Sequence, residues 1–234
     1  MDLVLLHAFP LDSAMWPAGL RAITPDQRGG DREPDLEHVA RDVLAEVNAR
    51  GIDRFVLGGC SMGGYVAMQV LRIAPERVAG LVLVDTKADA DTEEARDNRL
   101  AMAKRVEEEG VDWVPDALLP ALFSDNAPEE AVSKARRIIR RQSPEEVTWA
   151  QRAMAKRPDS TKLLERTTVP ALVIVGEHDA LTPPAKARQM ADLLPNSTYR
   201  EIPGAGHLVP LEAPEAFAEA FVSWQARQTW QRLT

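Results

Sequence analysis

The segment GGCSMGG, residues 58 to 64, sets the only cysteine of the chain beside a serine framed by glycines. It follows the apolar run Phe55-Val56-Leu57 and precedes the helical pattern Tyr65-Val66-Ala67-Met68. Gly59-Cys60-Ser61-Met62-Gly63 fits G-x-S-x-G between a strand and a helix. A strand that turns abruptly into a helix forces the residues two before and two after the turn residue together, where only glycine fits. It also holds the turn residue in strained dihedrals and projects its side chain over the carboxyl ends of the strands. Cysteine is the stronger intrinsic nucleophile, but a turn centred on Cys60 needs glycine at 62, which is methionine. The spacing selects Ser61 and leaves Cys60 as a small apolar filler. No lysine follows the glycines, so a phosphate-binding loop does not fit.

A serine hydroxyl reacts when a base takes its proton and an acid orients the base. Val175-Gly176-Glu177-His178-Asp179 places an acid just past a strand, and Pro203-Gly204-Ala205-Gly206-His207 places a histidine on a later glycine-rich loop. The order Ser61, Asp179, His207 is that expected for a nucleophile on this kind of turn. Asp85, just past Leu81-Val82-Leu83-Val84, is the alternative acid. Glu177 reads as structural, His178 as a loop residue and His38 as part of a helix surface. His7 reads as a residue that pins its loop by a hydrogen bond. Charge developing on a carbonyl oxygen needs N–H donors. Met62 N–H, at the start of a helix, is one; Phe9 N–H, in the loop His7-Ala8-Phe9-Pro10 after the first strand, is the second.

These side chains need a scaffold. Apolar runs at Leu3–Leu6, Phe55–Leu57, Leu81–Val84 and Ala171–Val175 alternate with helical patterns, with shorter strand signals at Ala22-Ile23-Thr24 and near Tyr199–Ile202. Asp35 caps a helix whose Leu36, Val39, Val43 and Val47 follow the 3.6-residue period, and Gly51 ends it. Strands apolar throughout belong in a parallel sheet covered on both faces, so the pattern predicts an α/β fold: a doubly wound, mostly parallel sheet of about six strands. Residues 88–168 break the rhythm with helical segments alone, one opening at the capping box Ser143-Pro144-Glu145-Glu146. This predicts a core domain formed by 1–87 and 169–234, with 88–168 inserted as a helical cap. Met102, Trp113, Leu118, Phe123, Trp149 and Met154 are candidates for lining a substrate pocket under it, or else for its own core.

The 234 residues carry a net charge of −8, with 45% hydrophobic and 27% charged side chains. An acidic surface repels phosphate backbones, which disfavours nucleic-acid partners. The basic runs Arg136-Arg137 and Arg140-Arg141 read as a solvated helix face. One cysteine excludes an internal disulfide and suits a reducing compartment. The N-terminus lacks the pattern of a signal peptide or membrane span, and the expected location is cytoplasmic. Four histidines and one cysteine form no metal-ligand motif, and no metal or cofactor is expected.

Five motifs in order, spanning essentially the whole chain, resemble the α/β-hydrolase fold superfamily: HAFPLDSAMW its oxyanion loop, PDQRGGD its D-x-R-G-x-G turn, GGCSMGG its nucleophile elbow, and GEHDALTPP and GAGHLVPLEAPE its acid and histidine loops. The resemblance is nearest to small capped carboxylesterases, 3-oxoadipate enol-lactone hydrolases and carbon–carbon hydrolases. Serine at 61 disfavours the relatives that use an aspartate nucleophile. The resemblance implies hydrolysis of an ester or lactone through an acyl-enzyme, without a cofactor. Few aromatics and no cationic clamp in the motif loops suggest a small to medium, mostly apolar substrate, and a base that must be neutral predicts activity falling below a pH of about 6.5. Carbon–carbon hydrolysis and perhydrolysis use the same residues, and a non-hydrolytic binding protein on the same fold is the alternative from a different class. Ala8 stands where the family usually has glycine. A positive φ there would strain the oxyanion loop.

Overall fold

The computed structural model describes residues 1–230. The apolar runs become five strands: β1 (Asp2–Leu6), β2 (Phe55–Cys60), β3 (Val78–Val84), β4 (Ala171–Gly176) and β5 (Ser197–Ile202). They pair in parallel, in the spatial order β1-β2-β3-β4-β5. Every residue of β2, β3 and β4 is buried, as their unbroken apolar character requires. In β5 only Ile202 is buried, in keeping with its place at the sheet edge. The expected sixth strand is reduced to a single bridge. Ile23 lies alongside Val4 on the free side of β1, donating to Leu3 O and accepting from Leu5 N–H, each at 2.8 Å. Pro25 follows two residues later without an N–H to extend a ladder.

Helices cover both faces. On one face α1 (Leu36–Ala49), α2 (Met62–Ile73) and, later in the chain, a helix at Pro184–Leu193 share an apolar cluster with Val4, Leu6, Leu57, Leu81, Leu83, Val173 and Val175. Between β3 and β4 the chain forms α3 (Glu93–Glu109), α4 (Val114–Leu122), α5 (Glu129–Ile139), α6 (Pro144–Ala155) and the short α7 (Thr161–Glu165), without a strand. The Pro184–Leu193 helix is therefore α8. The chain ends its described part with α9 (Val209–Glu212) and α10 (Pro214–Gln225). Phe217, Phe221 and Trp224 of α10 pack on the opposite face with Leu3, Leu5, Val56, Val82 and Ile174. Both apolar clusters continue into the inserted helices, through Val106, Leu119 and Ile138 on one side and Trp149, Ala153 and Met154 on the other.

Polar contacts start these helices and tie them to the rest of the chain. The Ser143 hydroxyl accepts Glu146 N–H at 3.2 Å and the Glu146 carboxylate accepts Ser143 N–H at 3.1 Å, forming the capping box that starts α6. Trp149 of α6 donates its indole N–H to Arg32 O at 2.8 Å. Buried Asp91 accepts from Arg99 of α3 at 2.6 Å and from Arg157 at 2.7 Å. The Arg157 guanidinium also stacks 4.1 Å over the Tyr65 ring of α2. Removing one partner from such a buried ion pair costs about 3–5 kcal/mol, because the other is left uncompensated. No helix among the described residues is long and apolar enough to cross a membrane.

Candidate active site

The turn between β2 and α2 has the predicted geometry. Ser61 sits at φ 51°, ψ −113°, and the only other described non-glycine residue at positive φ is Asp85. A Cβ on Gly59 would lie 2.1 Å from Gly63 O, and one on Gly63 would lie 2.0 Å from Leu6 O, so the two glycines are steric requirements of the turn. The strained residue is held from both sides: Ser61 N–H donates to Val84 O at 2.9 Å, and Ser61 O accepts from the Thr86 hydroxyl at 2.9 Å. Cys60, one residue back, points into the apolar cluster on the other face and is fully buried. Burial and the neighbouring Asp85 push its thiol well above the ordinary range, so it stays protonated and unreactive.

The structure brings Ser61, His207 and Asp179 together. Ser61 Oγ is 2.8 Å from His207 Nε2. His207 Nδ1 is 2.9 Å from each oxygen of Asp179. A carboxylate only accepts, so the ring proton belongs on Nδ1, and Nε2 presents its lone pair to the serine hydroxyl. Asp179 also accepts the N–H of Leu181 at 2.9 Å, the N–H of Thr182 at 2.8 Å and the Thr182 hydroxyl at 2.7 Å. Burial alone would raise the Asp179 carboxyl, but His207 and these donors outweigh it and hold the group below its ordinary range. Thr182 was not singled out from sequence, although a threonine three residues after an aspartate is a turn signal.

Asp85 does not touch the imidazole. Its Oδ1 accepts Gly176 N–H at 3.0 Å and its Oδ2 accepts Val209 N–H at 2.9 Å, so it ties the end of β4 to the helix after the histidine loop. Glu177 accepts Gly204 N–H at 2.9 Å on the outer side of the same loop, and His178 is exposed. His38 lies part-buried on α1, away from this cluster of loops.

The loop after β1 faces the turn. Phe9 and Met62 line one narrow cleft with about 30 Å³ of free volume. Met62 is the first residue of α2, so its N–H lacks an intrahelical acceptor. The Phe9 loop is braced by Leu11 N–H to Ala8 O at 2.8 Å, by Ala8 N–H to Met15 Sδ at 3.1 Å and by the His7 ring to Ala8 O at 3.1 Å. His7 is buried, and desolvation lowers its pKa, which keeps it neutral. Gln27, not singled out from sequence, donates to His7 O at 3.0 Å. Ala8 is not at positive φ, so its methyl group brings no backbone strain.

None of the six side chains offered as pocket lining borders this cleft, and neither does Ser61 or His207. Its apolar wall is Phe9, Pro10, Leu11, Met62, Val147 and Ala150, and its polar wall includes Asp12, Asp26, Arg28, Gln142 and Glu146. Met102, Leu118, Phe123, Trp149 and Met154 pack instead into the apolar clusters under the inserted helices, and Trp113 lies under the Arg105 guanidinium at 3.8 Å. Packing the inserted helices against one another and against the sheet consumes the large apolar groups. Smaller and polar residues near the start of α6 are left to face the cleft.

The family model described as the alpha/beta hydrolase family matches residues 3–220. A Variovorax paradoxus protein provisionally named as the carbamate hydrolase RutD is 30% identical over 229 residues, covering 93% of this chain and 86% of that protein. The pimeloyl-[acyl-carrier protein] methyl ester esterase of Yersinia enterocolitica is 27% identical over 238 residues, covering 95% of this chain and 92% of that protein. Among solved structures, a thermophilic esterase from Thermogutta terrifontis, determined with malate bound, superposes with a TM-score of 0.92 at 39% identity, covering 97% of this chain and 90% of that one.

Proposed function

The chain belongs to the α/β hydrolase family, and from that premise we propose that it hydrolyses carboxylic esters or lactones through Ser61, His207 and Asp179. The contact that carries this reading is Ser61 Oγ to His207 Nε2 at 2.8 Å, with the far side of the ring held by Asp179. His207 takes the Ser61 proton as Oγ bonds to the carbonyl carbon. The N–H groups of Met62 and Phe9 hold the resulting oxyanion. His207 then gives the proton to the leaving alkoxide as the C–O bond breaks, and an acyl-enzyme remains. Water, deprotonated by the same imidazole, attacks the acyl carbon; Ser61 leaves and is reprotonated. Asp179 orients the ring and balances the imidazolium.

The segment from α3 to α7 acts in this reading as a cap, since Val147 and Ala150 of α6 form one wall of the cleft. With about 30 Å³ of free volume, the cleft is far smaller than ordinary ligand pockets. Its apolar wall of Phe9, Leu11 and Val147 and its polar Arg28 and Gln142 leave room for a small group at most. The ester-cleaving relatives support this assignment, and the buried lone cysteine suits a cytoplasmic enzyme.

A panel of 4-nitrophenyl esters and lactones, run beside fluorophosphonate labelling, tests the proposal. Wild type should turn over short-chain esters and be labelled, while Ser61→Ala should lose both. Equal labelling of the two proteins, or an inert wild type, would remove the hydrolytic role.

A further inference from the structure

The loop carrying His207 is gripped by a buried carboxylate that takes no part in the chemistry above. Glu212, at the end of α9, is 8% exposed. One of its oxygens accepts Gly206 N–H at 2.9 Å. Its other oxygen accepts the Ser124 hydroxyl, and the two oxygens share Ser124 N–H at 3.2 and 3.4 Å. Ser124 lies two residues past the end of α4, in the inserted segment. One peptide further along, His207 N–H donates to Leu122 O at 3.1 Å. Leu122 ends α4, so its carbonyl has no intrahelical donor.

The two segments meet backbone to backbone. A Cβ on Gly206 would lie 2.5 Å from Ser124 N and 2.7 Å from Phe123 C. No side chain can stand between them, and the donors that face each other there are satisfied by the Glu212 carboxylate. The carboxylate touches neither the imidazole nor Ser61, yet it fixes the peptide from which the imidazole projects.

We propose that Glu212 is a positioning residue: through Gly206 N–H and Ser124 it locks the His207 loop to residues 122–124, so that the seating of the inserted helices sets the reach of the imidazole to Ser61. This rests on the hydrolytic reading of Ser61 and His207. Its physical basis is that a displacement of about 1 Å at a reacting group lowers the rate on the order of 100-fold. Asp85 holds the other side of the same loop through Val209 N–H, but only Glu212 reaches across to the inserted segment.

Glu212→Gln keeps the side-chain volume and one acceptor for Gly206 N–H, and turns an amide group toward the donors of Ser124. On 4-nitrophenyl acetate we expect kcat to fall about 10- to 100-fold with KM changed by less than about twofold. The rate of fluorophosphonate inactivation, which needs the same base, should fall by the same factor. Ser124→Ala removes the hydroxyl and keeps the N–H, so it tests the link even if the first variant does not fold; its kcat should fall about two- to fivefold at unchanged KM. In the double variant the two effects should be less than multiplicative, because they act on one contact. A Glu212→Gln protein that melts earlier but keeps kcat per folded molecule and inactivation rate within twofold would overturn the proposal. So would a Ser124→Ala protein with wild-type kcat, or a loss confined to KM. An unlabelled wild type points instead to failure of the hydrolytic reading, independently of Glu212.

Discussion

Asp85 and Asp179 stand at the ends of adjacent strands, β3 and β4, and both are buried. Each accepts two backbone N–H bonds, yet their electrostatics diverge. Burial and the neighbouring charge of Asp179 raise the Asp85 carboxyl well above the ordinary range, and its two backbone donors do not compensate. Burial acts on Asp179 in the same direction, but the His207 imidazole, followed by the N–H and hydroxyl of Thr182, reverses the sign. The difference lies in the partner. Asp179 has the imidazole beside its backbone donors, whereas Asp85 faces another carboxylate; a like charge disfavours the ionised form and an opposite one favours it. Two aspartates at equivalent strand ends thus divide into one that faces the imidazole and one that holds the loop bearing it.

The largest expected effect separates the two directly. Asp179→Asn should lower kcat on the order of 10⁴-fold, the scale seen when the orienting acid of a serine triad is lost. Asp85→Asn should lower it less than about tenfold. Measuring kcat for both variants on one ester settles the comparison, and a larger loss for Asp85→Asn would reverse the assignment.

Stability should sort them the other way. Asp85→Asn turns an amide group toward one of two buried N–H donors, at a cost of about 1–3 kcal/mol, read from urea unfolding midpoints at constant m. The pH dependence of that cost carries the sign. A carboxyl whose folded pKa is raised contributes stability that is complete below the unfolded value near 4 and is lost as pH rises toward the folded value. The destabilisation by Asp85→Asn should therefore be greatest near pH 4 and shrink as pH rises. Asp179, with its folded pKa depressed, contributes stability above that unfolded value and loses it on acidification, so the cost of Asp179→Asn should shrink as pH falls below 4. Parallel slopes in the two series would contradict the division of roles.

The smallest effect concerns the thiol beside Asp85. Cys60 Sγ is 3.9 Å from Asp85 Oδ2. Cys60→Ala should leave kcat within twofold and cost about 1 kcal/mol for the small void. A thiol reagent should fail to inactivate the native protein. Inactivation that the Cys60→Ala variant escapes would return Cys60 to consideration as a reactive group.

Much of this was legible in the residues. Unbroken apolar runs marked the parallel strands, and glycine spacing chose Ser61 over Cys60 because the close approach at Gly59 and Gly63 leaves no room for a side chain. The large residues of the inserted segment were harder to read. Trp149 lies against the loop at Gly29 and Arg32, and Met154 against Arg99 of α3, rather than lining the cleft, and helical periodicity reports burial without saying against what. The strand signal at Ala22-Ile23-Thr24 yielded one bridge, since Pro25 stops the ladder. Ala8 could be weighed only with its φ in hand.

By itself the sequence determined the local chemistry: a strained turn that only Ser61 can occupy, an acid and a histidine on later loops, and strands fit for burial on both faces. These follow from short-range sterics and apolar periodicity, which act between residues close in the chain. The tertiary structure decided which of two aspartates meets the imidazole, which side chains face the cleft, and that Glu212, bonded to nearby Gly206, reaches Ser124 across 88 positions of sequence. Those outcomes depend on distances between segments remote in the chain, and hydrogen bonds and Coulomb interactions between such segments exist only once the sheet and its inserted helices have packed.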